Sequence, residues 1–381
     1  MDALGAFSNI TIAPGHRHWF AFHTPLGLLQ PKRLGFGTSD APHAFGELAD
    51  KLVRGLTTEI AKYVDDLIPA THTVEIHLEL LEALLQRARY YGMVWKFSKC
   101  IFLAPEVNFV GFTCDARGYR PVAHNLAAVA RMSEPGSARQ LATLLGFTAY
   151  YKHHLPDHSW HTAKLQVRLR GVKPGAKRKP IDGWGLDEKA SCAALYQALL
   201  HPQMLHHRQP GHQLHLYTDA SSYALGAILT QTPPGVEGGP NERKEFGPEE
   251  TTISFWSKVL STALAKYSSV VKELLAVVLA LEAFEVYLRH STIIIHTDCK
   301  ALLFLNRNFT RNPVMGRLQV RLMEFSYVVR HLAGESQPAD MLSRMISPDL
   351  LHHLRDVPSA GLPAAAKQYT AALVDVDQRA T

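Results

Sequence analysis

Cysteine is scarce in this chain of 381 residues: there are four, Cys100, Cys114, Cys192 and Cys299, and no two of them form a CxxC pair. That spacing excludes a disulfide scaffold and a zinc ribbon, both of which need clustered thiols. Long apolar runs are missing too, and none approaches the roughly 20 residues that a membrane-crossing helix needs. No basic-plus-apolar leader opens the sequence, which argues against secretion and against a membrane partner. Charge is thin, with 19% Asp, Glu, Lys and Arg against 46% hydrophobic residues, the reverse of a disordered composition. What charge there is leans basic, 40 Lys and Arg against 34 Asp and Glu, for a net +6. An excess of that size permits a nucleic-acid partner without demanding one. The length suggests two or three domains.

Patterning then organises the chain as mixed α/β (α+β). Residues 1–70 read as β-rich. Within them Ile60–Val64 is a short apolar run, Asp65-Asp66 interrupts it and Leu67-Ile68 resumes it, the mark of a tight hairpin. Val74, Leu78, Leu81, Leu84, Leu85 and Ala88 recur at helical spacing and share one face. Another helix is expected to end near Tyr151. Residues 164–179 carry seven Lys and Arg, no acid, and the breakers Gly171 and Pro174. That stretch reads as a basic linker or as a surface that follows phosphates. A second α/β unit opens near Gln213: a strand ending at Asp219, a partner over 224–229, and an exposed Pro- and Gly-rich insertion over 232–250. A long helix over 268–288, a strand ending at Asp298 and a last strand over 327–332 complete it. The 21 histidines, with no cysteines at ligand spacing, read as packing or solvated groups rather than zinc ligands.

Two sets of acids carry chemistry. Asp65 and Asp66 sit together at the expected hairpin tip, where two carboxylates and one from a neighbouring strand would suit Mg²⁺. On residue type alone a solvated Asp-Asp turn explains them as well. Asp219 and Asp298 each end a strand, and Glu273 lies on the helix between them, beside Ala276, Val277 and Ala280. A carboxylate on a face of small apolar residues is costly unless it is paired or binds a cation. Asp340, in a helix-like start, is a fourth candidate.

The flanking residues make both sets specific. Tyr63-Val64-Asp65-Asp66 resembles the YxDD motif of reverse transcriptases, and FHTPLG (22–27) with LGFGTSDAPHAF (34–45) resembles the segment lining the template and nucleotide site in gypsy-type LTR retrotransposons. Lys99-Cys100, Val110-Gly111, Gly118, Leu144-Leu145-Gly146 and Tyr150-Tyr151-Lys152 follow in that family's order, as does Trp184. MDALGAFSNITI (1–12) fits its first catalytic strand. YSSVVKELLAVV (267–278), TDCKAL (297–302) and the stretch 334–344 are similar to its RNase H motifs, with Cys299 where the family has His and Gln337 where it has Asn.

That resemblance implies the rest. The fold would be a reverse transcriptase palm unit over 1–120, without the fingers, as in a sequence truncated at its N-terminal side. A thumb- or connection-like region over 121–212 would follow, then an RNase H-like mixed sheet with flanking helices over 213–346 and a poorly ordered tail over 347–381. Asp2, Asp65 and Asp66 would hold the polymerase Mg²⁺ (or Mn²⁺), and Phe7, Phe36 and Gly37 would line the nucleotide site. Asp219, Glu273, Asp298 and Asp340 would hold the nuclease metal. Partners would be an RNA template, a DNA primer, dNTPs and the RNA–DNA hybrid, in a cytoplasmic particle or the nucleus. With the basic fingers missing, the ribonuclease half is expected to be the more competent. The alternative is a catalytically inactive remnant that binds nucleic acid or protein.

Overall fold

The computed structural model describes residues 1–56, 60–124, 126, 135–156, 158–169, 181, 183–221, 224–240, 246–261, 263–304, 312–332 and 338. Asp340, the tail over 347–381 and most of the basic run over 164–179 lie outside them. The chain divides into two compact units, Met1–Val110 and Gly111–Thr381.

The first unit is less β-rich than its sequence suggests. Its strands are short: β1 (Phe22–Thr24) with β2 (Gly27–Leu29), β3 (Ile60–Tyr63) with β4 (Asp66–Pro69), and β5 (Glu106–Phe109). Its bulk comes from α1 (Ala41–Val53) and α2 (Val74–Tyr91). Helix α1 buries Ala41, Phe45, Ala49 and Leu52, a narrow stripe in which two alanines carry little hydrophobic signal. Helix α2 starts where the Thr73 hydroxyl accepts the Ile76 N–H and stops at Gly92, whose φ of +70° a residue with a side chain resists. Its buried face is Leu80, Leu81, Leu84 and Ala88, whereas Val74 and Leu78 are exposed, so the expected stripe is buried only from Leu81 on. The first residues are tied down: the Met1 ammonium donates to the Leu67 carbonyl at 2.7 Å, and the Lys96 N–H donates to the Asp2 carbonyl at 2.9 Å.

The second unit holds β6 (Phe112–Asp115), β7 (Gly118–Pro121) and β8 (Leu205–His206), with helices α3 (Ala138–Tyr150), α4 (His158–Gln166) and α5 (Leu186–Leu200) among the described residues. Leu141, Leu144, Leu155, Leu165, Leu195 and Leu199 close a core among those helices. Beyond it lies a five-stranded sheet in the order β11-β10-β9-β12-β13, where β9 is Gln213–Ala220, β10 Ala224–Thr232, β11 Thr251–Val259, β12 Thr292–Thr297 and β13 Ser326–His331. Strands β9, β10 and β11 form an antiparallel meander. The chain then crosses over through α6 (Ser269–Ala283) and the short α7 (Glu285–Leu288), so β12 joins β9 in parallel. The expected single helix over 268–288 is broken at Phe284, which is buried in the core. Helices α6 and α8 (Pro313–Leu322) bury Leu274, Ala276, Ala280, Leu281, Leu318 and Leu322 against Leu214, Leu216, Leu225, Ile293 and Ile295 of the sheet. The edge strand β11 is not bare: the Ser159 N–H and hydroxyl bond the Ser257 hydroxyl and carbonyl at 3.0 and 2.6 Å.

Candidate functional site

In the second unit the sheet and α6 bring three carboxylates together. Asp219 comes from the end of β9, Glu273 from the second turn of α6 and Asp298 from the residue after β12, and their oxygen atoms all lie within 4.8 Å of one another. Asp219 is 2% exposed and Glu273 5%. At an effective dielectric of 20, two full negative charges at that separation repel by roughly 3.5 kcal/mol. Hard oxygen donors converging at this spacing fit a divalent cation such as Mg²⁺ or Mn²⁺. Among the described residues it is the one group of three or more His, Cys, Asp or Glu side chains so arranged. Beside it the Cys299 thiol is pushed up, first by burial and then by Glu273 and Asp298, so it stays protonated and inert.

The first-unit acids are neighbours but do not form such a group. The hairpin turns at Val64 and Asp65, not at Asp65 and Asp66: Tyr63 pairs with Asp66, which opens the return strand. Val64 takes the turn at φ +49°, unusual for a β-branched residue and worth roughly 1–3 kcal/mol of strain. Asp2 bridges Asp66 in antiparallel fashion. The Asp66 carboxyl is raised by partial burial and then by Asp65 and Asp2, with the Met1 ammonium and Lys99 opposing. The Lys99 ammonium stands 3.5 Å from the Asp2 carboxylate, and the Asp2 N–H points at the Cys100 sulfur, also at 3.5 Å. Phe7 packs edge-on against Phe36, centroids 5.5 Å apart, and against Phe45 at 6.2 Å. Phe36 is 80% exposed, and Gly37 beside it has φ +93°.

A second set of polar residues, under the three-carboxylate cluster, has no sequence motif. Tyr217 and His296, each two residues before a cluster aspartate, stack with centroids 4.4 Å apart and planes 11° from parallel. His296 Nε2 shares a hydrogen bond of 3.0 Å with His215 Nδ1, and His215 Nε2 one of 3.1 Å with the Thr232 hydroxyl. The Tyr217 hydroxyl donates to Glu250 at 2.9 Å; Thr230 and the Gly239 N–H donate to the same carboxylate at 2.5 and 2.8 Å. Glu250 is 8% exposed, so the segment expected to be a solvated insertion folds back to supply a buried acid. Burial pushes His296 down to about 3 and keeps it neutral, and burial beside Glu250 raises the Tyr217 phenol. The signal that could have found this set is the alternation of His215, Tyr217 and Asp219 along one strand.

Three more histidines pack, while others such as His16, His23 and His43 are exposed. His154, His158 and His161 are buried and pushed down to about 4, chiefly by burial. His154 bonds the Gln203 carbonyl and His158 the Thr148 hydroxyl. In the described part of the basic run, Lys164 lies over the Trp160 ring and Arg168 pairs with Glu188. Among the described residues no helix is long and apolar enough to cross a membrane.

Residues 1–114 match the family described as reverse transcriptase (RNA-dependent DNA polymerase), and residues 209–325 match the RNase H-like domain found in reverse transcriptase. The transposon Tf2-3 polyprotein of Schizosaccharomyces pombe is 26% identical over 353 residues, 91% of this chain and 25% of that protein. The retrovirus-related Pol polyprotein from transposon opus of Drosophila melanogaster is 28% identical over 357 residues, 91% of this chain and 34% of that protein. The chain thus spans about a quarter to a third of the curated relatives it matches. The foamy viral protease-reverse transcriptase solved with RNA/DNA hybrid superposes with a TM-score of 0.70 at 17% identity, over 91% of this chain and 45% of that one. The dRH form solved with double-stranded DNA gives 0.72 at 18%, over 87% and 56%. At such identity the likeness speaks for the fold: mixed α/β, with helices packed on mixed sheets. Two stretches of the chain are therefore similar to known domains, residues 1–114 to reverse transcriptase and residues 209–325 to the RNase H-like domain found in reverse transcriptase.

Proposed function

We propose that this chain is the reverse transcriptase and RNase H segment of a gypsy-type retrotransposon polyprotein, and that its second unit hydrolyses the RNA strand of an RNA–DNA hybrid. The observation that carries this is the convergence of Asp219, Glu273 and Asp298 within 4.8 Å on two strand ends and one helix. These residues, with Asp340, are assigned to hold divalent cations, Mg²⁺ or Mn²⁺. Bound there, a pair of such ions would supply Lewis-acid activation of water and stabilisation of the leaving oxygen. The protein's own part is positional: the buried Asp219 and Glu273 fix two ligands on rigid elements, and Asp298 is the most exposed of the three. Recognition of the hybrid would rest on phosphates and duplex shape rather than on base sequence.

In this function the chain divides into a palm fragment over 1–120, a connection over 121–212, the RNase H-like part over 213–346 and a tail over 347–381. Asp2, Asp65 and Asp66, with Phe7, Phe36 and Gly37, take the polymerase roles toward primer, RNA template and dNTP. The Lys99–Asp2 ion pair favours a first unit that binds nucleic acid without extending a primer, because one ligand is already engaged by an ammonium.

Purified chain with Mg²⁺ is given a labelled RNA–DNA hybrid and, separately, a primed RNA template with dNTPs. Cleavage that EDTA abolishes and excess Mg²⁺ restores, with no primer extension, is the expected result. A folded protein that leaves the hybrid intact would end the nuclease assignment. Extension of the primer would end the division of labour between the units.

A further inference from the structure

The cluster's spacing is not set by backbone pairing. Strands β9 and β12 run in parallel register from Leu214↔Ile293 to Tyr217↔His296, and there the pairing stops. Asp219 and Asp298 lie two residues past that last pair. Two carboxylates within 4.8 Å repel, and past that pair β9 is held to β10 and β12 to β13, so no backbone pairing joins the two aspartate-bearing ends to each other. At the last registered pair the two side chains are stacked rings, and each ring is held from behind. His296 is fixed through His215 to Thr232, and Tyr217 through Glu250 to Thr230 and the Gly239 N–H. The chain of contacts spans β12, β9, β10 and the segment after β10, and all its side chains are buried.

We propose that the Tyr217–His296 stack, clamped by His215 and Glu250, is a positioning device that holds Asp219 and Asp298 at metal-binding separation. Neither ring touches the metal or the substrate. The stack resists both sliding of β12 along β9 and opening of their ends, so it acts on the cation through the two aspartates. Gly238, Gly239 and Glu250, which follow β10, are part of the clamp. A Cβ on Gly238 would stand 2.5 Å from His215 Cε1 and 2.6 Å from Nε2, so this glycine presses directly on the imidazole. The inference rests on reading Asp219, Glu273 and Asp298 as metal ligands, and its test separates the two.

Mn²⁺ binding to the whole chain is measured by isothermal titration calorimetry, beside hybrid cleavage. Wild type binds Mn²⁺ and Asp219→Asn does not. Tyr217→Leu and His296→Leu, which keep apolar volume and lose the stack, raise the Mn²⁺ dissociation constant ten- to hundredfold, the usual range for partners behind metal ligands. They lower kcat and leave KM for the hybrid unchanged. His296→Phe restores a stacking ring without the bond to His215, so its dissociation constant falls between those of wild type and His296→Leu. A folded leucine variant that binds Mn²⁺ as wild type does overturns the proposal. Should both leucine variants fail to fold, Gly238→Ala displaces His215 alone, and unchanged Mn²⁺ affinity there overturns it equally. Absence of Asp219-dependent Mn²⁺ binding in wild type would sink the metal reading as well.

Discussion

Asp219→Asn is expected to cut hybrid cleavage at least about a thousandfold while leaving the protein as stable as before, or more so. The two effects have opposite signs for one reason. Asp219 is 2% exposed and its carboxylate lies within 4.8 Å of Glu273 and Asp298, so its charge raises the energy of the folded chain and lowers that of any bound cation. Asparagine keeps the shape and one oxygen but removes the charge. A loss of about 4 kcal/mol of transition-state stabilisation corresponds to about three orders of magnitude in rate. Melting in the absence of metal should hold or rise, because two repulsive pairs disappear. Millimolar Mg²⁺ supplies the complementary reading. At a concentration near a hundred times its dissociation constant it adds about 2.7 kcal/mol to wild type, a shift of about 5 °C or more, and nothing to the variant. Glu273→Gln should follow the same pattern. Cleavage that survives either substitution, or a Mg²⁺ shift that persists in the variant, would show that the cluster is not the site.

The residues that make this cluster were legible because each had a local signature. Asp219 and Asp298 end apolar strand-like runs, and Glu273 sits among small residues on a strongly apolar helix, a placement that burial alone would penalise. The meander of β9 and β10 and the crossover to β12 could likewise be read from alternation followed by helical period. Other features depend on tertiary partners and leave no local trace. Helix α1 presents alanine at two of its four buried positions, so its period is faint. Glu250 belongs to a run of prolines, glycines and charges that reads as solvated, and only Tyr217, 33 residues away, explains its burial. The hairpin turn fell one residue from its expected place for a related reason. Aspartate tolerates left-handed backbone better than valine, yet Val64 takes that conformation, and Asp66 is drawn into the return strand opposite Tyr63. Asp2 could be aligned, but its ion pair with Lys99 could not, because the two are 97 positions apart.

Gly118→Ala should be the most damaging single-carbon change in the second unit, lowering its melting temperature by about 6–12 °C. Gly118 opens β7 and pairs with His206 of β8, and its backbone does not need the left-handed region. Its requirement is proximity. A Cβ there would overlap the Leu205 carbonyl oxygen and stand 2.8 Å from that residue's carbonyl carbon and 2.9 Å from His206 Cα. All three are backbone atoms, so no rotamer change can make room and β8 itself must move. Overpacking relieved only by backbone shifts costs about 3 kcal/mol, at the upper end of the usual range. The displacement has a specific destination. Leu205 packs in one cluster with Tyr217, Ile228 and Phe255, and the His206 ring bonds the Thr252 carbonyl, so a shifted β8 loosens the sheet face that carries the Tyr217–His296 stack. Gly146→Ala is the internal control: Gly146 lies on the exposed side of α3 with open space around its would-be Cβ. There alanine should stabilise by about 0.5–1 kcal/mol through helix propensity. Circular dichroism melts of the two variants should therefore move in opposite directions from wild type. A Gly118→Ala protein that melts within a degree of wild type would mean that β7 and β8 do not approach as closely as described, and that the sheet face beneath the cluster has slack to spare.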